Sequence, residues 1–98
     1  MKYNLLLQPG AEKDIEEAYI WYERQRLGLG DELLKELVAY YKKLKQNPLV
    51  FKWTAKGFRQ ANLSRFPYVL VFKVIDTDVH IFAVFHTSRN PKYLHKKR

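Results

Sequence analysis

The sequence contains no cysteine, which excludes disulfide cross-links and thiolate chemistry together. Cysteine-based zinc modules are excluded with them, and three dispersed histidines make a weak metal set. Glycine and proline number four each, too few for a fibrous chain or a flexible linker. No apolar run approaches the ~18 residues of a membrane span. The run at Leu5-Leu6-Leu7 is also too short for a signal segment, and Pro9-Gly10 follows at once. A cytoplasmic location without membrane contact is therefore expected. GxGxxG, a phosphate loop and a serine nucleophile elbow are all missing, so no cofactor and no metal are expected. Asp76 and Asp78 stand two apart in a turn, a spacing that suits turn formation better than paired-carboxylate hydrolysis.

Acid is the other scarcity, and it is local. Residues 1–48 balance eight Lys and Arg against eight Asp and Glu. Residues 49–98 set ten Lys and Arg against Asp76 and Asp78 alone. The whole formal charge of +8 therefore belongs to the second half, which also holds His80, His86 and His95. Such a distribution suits an acidic or polyanionic partner, and a solubilising excess is the alternative.

What is present is enough for one packed domain over residues 1–98. Seven Tyr, six Phe and two Trp supply packing area that a disordered chain lacks. Residues 2–8 read as a strand that Pro9-Gly10 stops. From about residue 12 to 26, Ile15, Ala18, Tyr19 and Tyr22 recur at helical spacing. A second helical pattern over about 31–46 carries Leu33, Leu34, Leu37, Val38, Tyr41 and Leu44. Asn47-Pro48 closes it. The short link Gly28-Leu29-Gly30 predicts an antiparallel helix hairpin.

Strands are predicted at residues 49–54, 58–63, 68–75 and 79–86, with Asp76-Thr77-Asp78 turning the last pair. In the final strand, alternation puts Val79, Ile81, Ala83 and Phe85 on one face. His80, Phe82, Val84 and His86 then fall on the other. The expected fold is α+β: an N-terminal strand, a helix hairpin, then a four-stranded, largely antiparallel sheet. The helices can cover only one face of it. The helical tyrosines read as core or interface residues, with Tyr40 the exposed member. Trp21 and Trp53 read as packing or partner-contact residues.

The residues suited to chemistry are cationic or aromatic and lie near strand ends. RNA cleavage without a metal needs a base, an acid and cations around the phosphorane-like transition state. His86 suits the base or acid role near neutral pH. Arg59, Arg65 and Arg89 suit bidentate phosphate binding. Tyr93 could stack on a base or donate a proton. Lys52, Lys56 and Lys92 would add RNA-binding charge. Four of these have a structural alternative: His86 as a hydrogen-bonding cap of the sheet, Arg59 and Arg65 in ion pairs with helix acids, Tyr93 as a packing anchor.

Fragments along the whole chain resemble the RelE/ParE toxin superfamily of type II toxin–antitoxin modules. They are Ala11-Glu12-Lys13-Asp14-Ile15-Glu16-Glu17-Ala18, Trp21-Tyr22-Glu23, Gly28-Leu29-Gly30, Asn47-Pro48 and Gly57-Phe58-Arg59. Arg65-Phe66-Pro67-Tyr68-Val69-Leu70-Val71-Phe72 and Ala83-Val84-Phe85-His86-Thr87-Ser88-Arg89-Asn90-Pro91 complete the series. The resemblance implies the same fold and a cognate antitoxin that wraps the toxin. It implies one of two targets. RelE-like members cut mRNA on the ribosome, and Lys56, Arg59, Arg65, Arg89, Tyr93 and His86 fall in the matching regions. ParE-like members poison DNA gyrase without nuclease chemistry, and Arg65-Phe66-Pro67-Tyr68 is common among them. The expected function is a toxin that acts as a ribosome-dependent mRNA endoribonuclease. A gyrase inhibitor and a non-toxic antitoxin-binding protein are the alternatives.

Overall fold

The computed structural model describes residues 2–88. Strand β1 (Asn4–Leu7) leads into helix α1 (Pro9–Gln25), and helix α2 (Leu29–Gln46) returns antiparallel to it. Pro9-Gly10 follows the end of the strand as expected, but it also forms the first turn of α1, which therefore begins earlier than the predicted residue 12. Proline fits there because its ring sets a helical φ and its missing N–H would have had no intrahelical acceptor.

The turn between the helices is built on two glycines. Gly28 sits at φ 91°, a left-handed conformation that disfavours side chains. Gly30 already lies inside α2, where a Cβ would fall 2.7 Å from Tyr19 Cδ1 and 2.8 Å from the Tyr19 carbonyl oxygen. The helices cross that closely only because this position is glycine. Glu23 completes the turn. Its carboxylate accepts from the N–H groups of Gly28 at 3.1 Å and Gly30 at 2.7 Å, at the start of α2.

After α2 the expected strand at 49–54 is mostly absent. Pro48–Val50 form a 3-10 turn instead, with the Asn47 side chain accepting from the Leu49 N–H at 3.2 Å. Only β2 (Lys52–Trp53) is extended. A second 3-10 turn (Ala55–Gly57) precedes β3 (Phe58–Asn62), β4 (Tyr68–Ile75) and β5 (Asp78–His86). All five strands form one sheet in the order β1-β5-β4-β3-β2. The β1–β5 pairing is parallel and the others are antiparallel.

The helices cover one face of this sheet. Leu33, Leu37 and Leu44 from α2 join Leu70, Phe72, Val79 and Ile81 in a core that, among the described residues, holds no buried polar or charged residue. Tyr40, expected to be the exposed helical tyrosine, is buried, and its hydroxyl bonds to Ser64 Oγ at 2.9 Å.

A bulge in β5 corrects the expected alternation. Phe72 faces Ile81, but Val71 faces Ala83, so Phe82 is the extra residue. Beyond it the strand changes phase. Val84 and His86, opposite Leu70 and Tyr68, lie on the helix side, while Ala83 and Phe85 lie on the other. Asp14 of α1 meets the strand just past the bulge, where its carboxylate accepts from the Val84 N–H at 3.0 Å.

Glu36 of α2 does the same for the β3–β4 connection. Its carboxylate accepts from the N–H groups of Ser64 and Arg65 at 2.9 Å each and of Phe66 at 3.2 Å. Removing a carboxylate that serves several backbone donors should cost about 2 kcal/mol, because those donors lose their partner together. Urea denaturation of Glu36→Ala is expected to show this loss, while Lys35→Ala on the exposed side stays within about 0.5 kcal/mol of the parent.

Candidate functional site

The cations expected to act lie in different parts of the molecule. Arg59 stands opposite Phe72 and therefore points to the helix side. Its Nη1 donates to the carbonyls of Phe51 at 2.9 Å and Leu49 at 3.2 Å, fastening the turn before β2 to β3. Arg65 lies in the connection between β3 and β4 and pairs with Glu32 of α2, which also holds Arg26 at 3.3 Å. Its guanidinium covers the Phe66 ring at 5.4 Å.

His86 packs edge-on against Tyr68, with centroids 5.1 Å apart, on the helix side of the sheet. Its Nδ1 accepts from the Ser88 N–H at 3.1 Å, which places the proton of the neutral ring on Nε2. Arg65 and His86 thus share the end of the sheet where β4 begins. Arg59, opposite Phe72, is four residues along β4 from Tyr68, about 13 Å away by strand rise. Lys52 and Lys56 are exposed, Lys56 at φ 64° in the turn before β3. Arg89, Lys92 and Tyr93 lie outside the described residues.

The open face of the sheet carries a set that the sequence reading passed over. Phe58, Lys73, His80 and Leu6 stand opposite one another on β3, β4, β5 and β1, one row across four strands. Lys73 Nζ lies 5.2 Å from the centre of the Phe58 ring. Phe82, at the bulge, meets Phe58 edge-on at 5.5 Å and stacks with His80 at 6.3 Å. Gln8 Nε2 donates to His80 Nδ1 at 3.2 Å, so the neutral His80 also keeps its proton on Nε2. Lys52 and Gln60, an opposed pair of β2 and β3, extend the same face. The face offers aromatic surface, a ring N–H and ammonium groups, which suits binding. Lys73 and His80 alternate correctly with core residues in the sequence. Their strands are so apolar on both parities that this signal is faint.

Among the described residues no cluster of three His, Asp or Glu could hold a metal, and no helix is long and apolar enough to cross a membrane. Burial pushes the Glu32 carboxyl up, but the hydrogen bonds and charges of Arg26 and Arg65 outweigh it and hold it below its ordinary 4.5. Tyr19 is pushed above its ordinary 10.0 chiefly by the charges of Asp31 and Glu23. Tyr41 is raised by burial.

A family model of the ParE toxin of type II toxin–antitoxin systems, parDE, matches residues 5–91. The chain belongs to the ParE toxin family. It is 30% identical over 92 residues to toxin ParE2 of Mycobacterium tuberculosis, spanning 93% of this chain and 88% of that one. The fold of this ParE-family chain is shared with the chromosomal ParDE system of P. aeruginosa. That likeness has a TM-score of 0.76 at 19% identity and covers 87% of this chain and 96% of that one. The toxin–antitoxin complex RelBE2 of M. tuberculosis gives 0.65 at 22% identity, covering 88% and 92%. A free E. coli RelE double mutant gives 0.57 at 21%, covering 96% and 93%. The expected superfamily and α+β fold are therefore correct, and the ParE-family chain is a toxin of a type II toxin–antitoxin module.

Two outcomes follow from the arginine contacts. Because Glu32 titrates lower in the folded chain, its contribution is complete above about pH 4.5 and fades as pH falls through the folded value. Glu32→Gln should therefore flatten the acid limb of a stability–pH curve below pH 4.5 and leave its slope at neutral pH unchanged. Arg59→Ala should speed amide exchange at residues 49–53 while the amides of β4 stay slow, because it unfastens only the turn.

Proposed function

We propose that this ParE-family toxin acts by binding and poisoning DNA gyrase, with a cognate antitoxin as its natural partner, rather than by cutting RNA. The observation that carries the reading is the state of the imidazoles. His80 Nδ1 receives the Gln8 amide and His86 Nδ1 receives the Ser88 N–H, so the lone pair a general base would use is occupied in both. Two of the arginines that nuclease chemistry would enlist hold the fold instead, Arg59 on backbone carbonyls and Arg65 on Glu32. Nη1 of Arg59 and Nη2 of Arg65 are thus engaged within the fold.

The antitoxin follows from the toxin–antitoxin systems that share the fold. An acidic segment suits a chain whose second half carries the whole net charge. Gyrase is the target that membership of the ParE branch favours.

Purified protein is expected to inhibit supercoiling and to accumulate cleaved DNA, and translation extracts should keep their mRNA intact. His86→Ala should keep growth arrest within about twofold of the parent, whereas a residue serving as acid or base would lose 10²-fold or more. Transcript cleavage together with unimpaired supercoiling would reverse the assignment to mRNA endoribonuclease.

A further inference from the structure

Four helix acids are engaged inside the fold: Asp14, Glu23 and Glu36 on backbone N–H groups, and Glu32 on Arg26 and Arg65. Glu12 and Glu16 of α1 are not. With Ile20 they follow one another at four-residue spacing, and all three are exposed, so they share the outward side of the helix. Lys13 is the only cation of α1 before Arg24. The outward side of α2 has the opposite sign. Lys35, Val38, Lys42 and Lys45 recur there at three- and four-residue spacing, and they too are exposed. Among the described residues Glu12, Glu16, Lys35, Lys42 and Lys45 take part in no ion pair.

The two stripes are held in register. Tyr19 Oη donates to Asp31 Oδ1 at 3.2 Å, and a Cβ on Gly30 would fall 2.9 Å from Glu23 Cγ, so the antiparallel helices are level at these positions. Counting back along α1 and forward along α2 from there brings Glu16 level with Lys35, and Glu12 to within about one turn of Lys42. Ile15, Leu34 and Tyr41 run between the stripes, partly buried against the core. Ile20 and Val38 stand above them, 44% and 49% exposed. An apolar seam therefore lies between a rim of acid and a rim of base.

Single exposed apolar side chains are ordinary, but these two lie on a face whose charge changes sign across it. Glu12 and Glu16 would repel a nucleic acid. A segment of one charge sign would meet one rim of like charge. A second copy of the chain brings both signs in the matching register. A two-fold axis along the seam lays α1 of each copy over α2 of the other and keeps every residue at its own level. Glu16 then faces Lys35 of the second copy, Glu12 approaches its Lys42, and the two apolar seams meet between them.

We infer that the outward face of the α1–α2 hairpin is an interface between two copies of this chain, joined in a four-helix contact. Charge complementarity selects this occupant, because the face is complementary to itself. Helices of 17 and 18 residues make it about 26 Å long and two helices wide. Such a face is at the lower end of what a specific interface needs, so the dimer is reversible and depends on concentration. The contact leaves the open face of the sheet uncovered, since the helices lie on the other side of it. It does not depend on which target the toxin poisons.

Sedimentation velocity on the full chain should show a monomer that gives way to a dimer as concentration rises. One variant carries Glu12→Lys with Glu16→Lys, and another carries Lys35→Glu with Lys42→Glu. Each alone should dimerise at least about tenfold more weakly, with unchanged far-UV circular dichroism, because like charges then face each other. Mixed, the two should form a one-to-one heterodimer, since each rim again meets its opposite. Val38→Asp in both should abolish that heterodimer. The chain has no native cysteine, so a second measurement needs no charge exchange. Glu16→Cys and Lys35→Cys proteins, mixed and oxidised, should form the mixed disulfide dimer faster than either forms its own. A monomer at every concentration overturns the inference, as does a dimer indifferent to the charge exchange or a mixture that stays monomeric. Equal rates of disulfide formation overturn it too. A heterodimer that survives Val38→Asp would reduce the contact to general charge and overturn it as well.

Discussion

The hydrogen bond from the Val84 N–H to the Asp14 carboxylate joins α1 to β5 just past the bulge, and the two faces of the sheet are sorted at that point. A bulge by itself would leave the end of β5 with an irregular, partly unpaired backbone. A carboxylate from the packed helix supplies an acceptor there. The phase change then becomes part of the fold. Val84 enters the core, His86 falls on the Tyr68 side of the sheet, and Phe82 is pushed outward to meet Phe58 and His80. Both the side of the sheet that His86 takes and the aromatic set on the open face follow from it.

Asp14 is one of three helix acids used this way. Glu23 holds the start of α2, and Glu36 holds the connection between β3 and β4. Glu32 adds a fourth contact by pairing with Arg26 and Arg65. The helical half is formally neutral, but these four acids are turned toward the chain's own backbone and arginines. The field presented by the sheet half is therefore less compensated than a count of charges along the sequence suggests.

Much of this was legible beforehand, where the pattern had one period and a clear boundary. Ile15, Ala18 and Tyr22 marked α1, and Leu33, Leu37 and Leu44 marked α2, because a 3.6-residue stripe needs no tertiary information. The hairpin of β4 and β5 was equally plain. The phase of β5 was not, because Val79 to Phe85 is apolar on both parities and a slip by one residue leaves such a pattern unchanged. Pro9-Gly10 marked the end of β1 but hid the start of α1, because the same dipeptide can both end a strand and open a helix. Leu49 and Val50 looked like strand residues, and the Asn47 side chain drew them into a turn instead. The roles of Arg59 and Arg65 depended on partners eight to thirty-three positions away, which no local spacing encodes.

The parallel pairing of β1 with β5 bears on how the molecule comes into being. Asn4 and Asp78, joined by side chains at 3.1 Å, are 74 positions apart. β1 leaves the ribosome early and has no sheet partner until β5 has followed it. Closing so long a loop is a late event, since its entropy must be overcome before the contact rewards it. The helix hairpin can form meanwhile, but the five-stranded surface cannot. A growing chain therefore stays without its binding faces for most of its synthesis, and the cell that makes this toxin meets the finished surface only at the end.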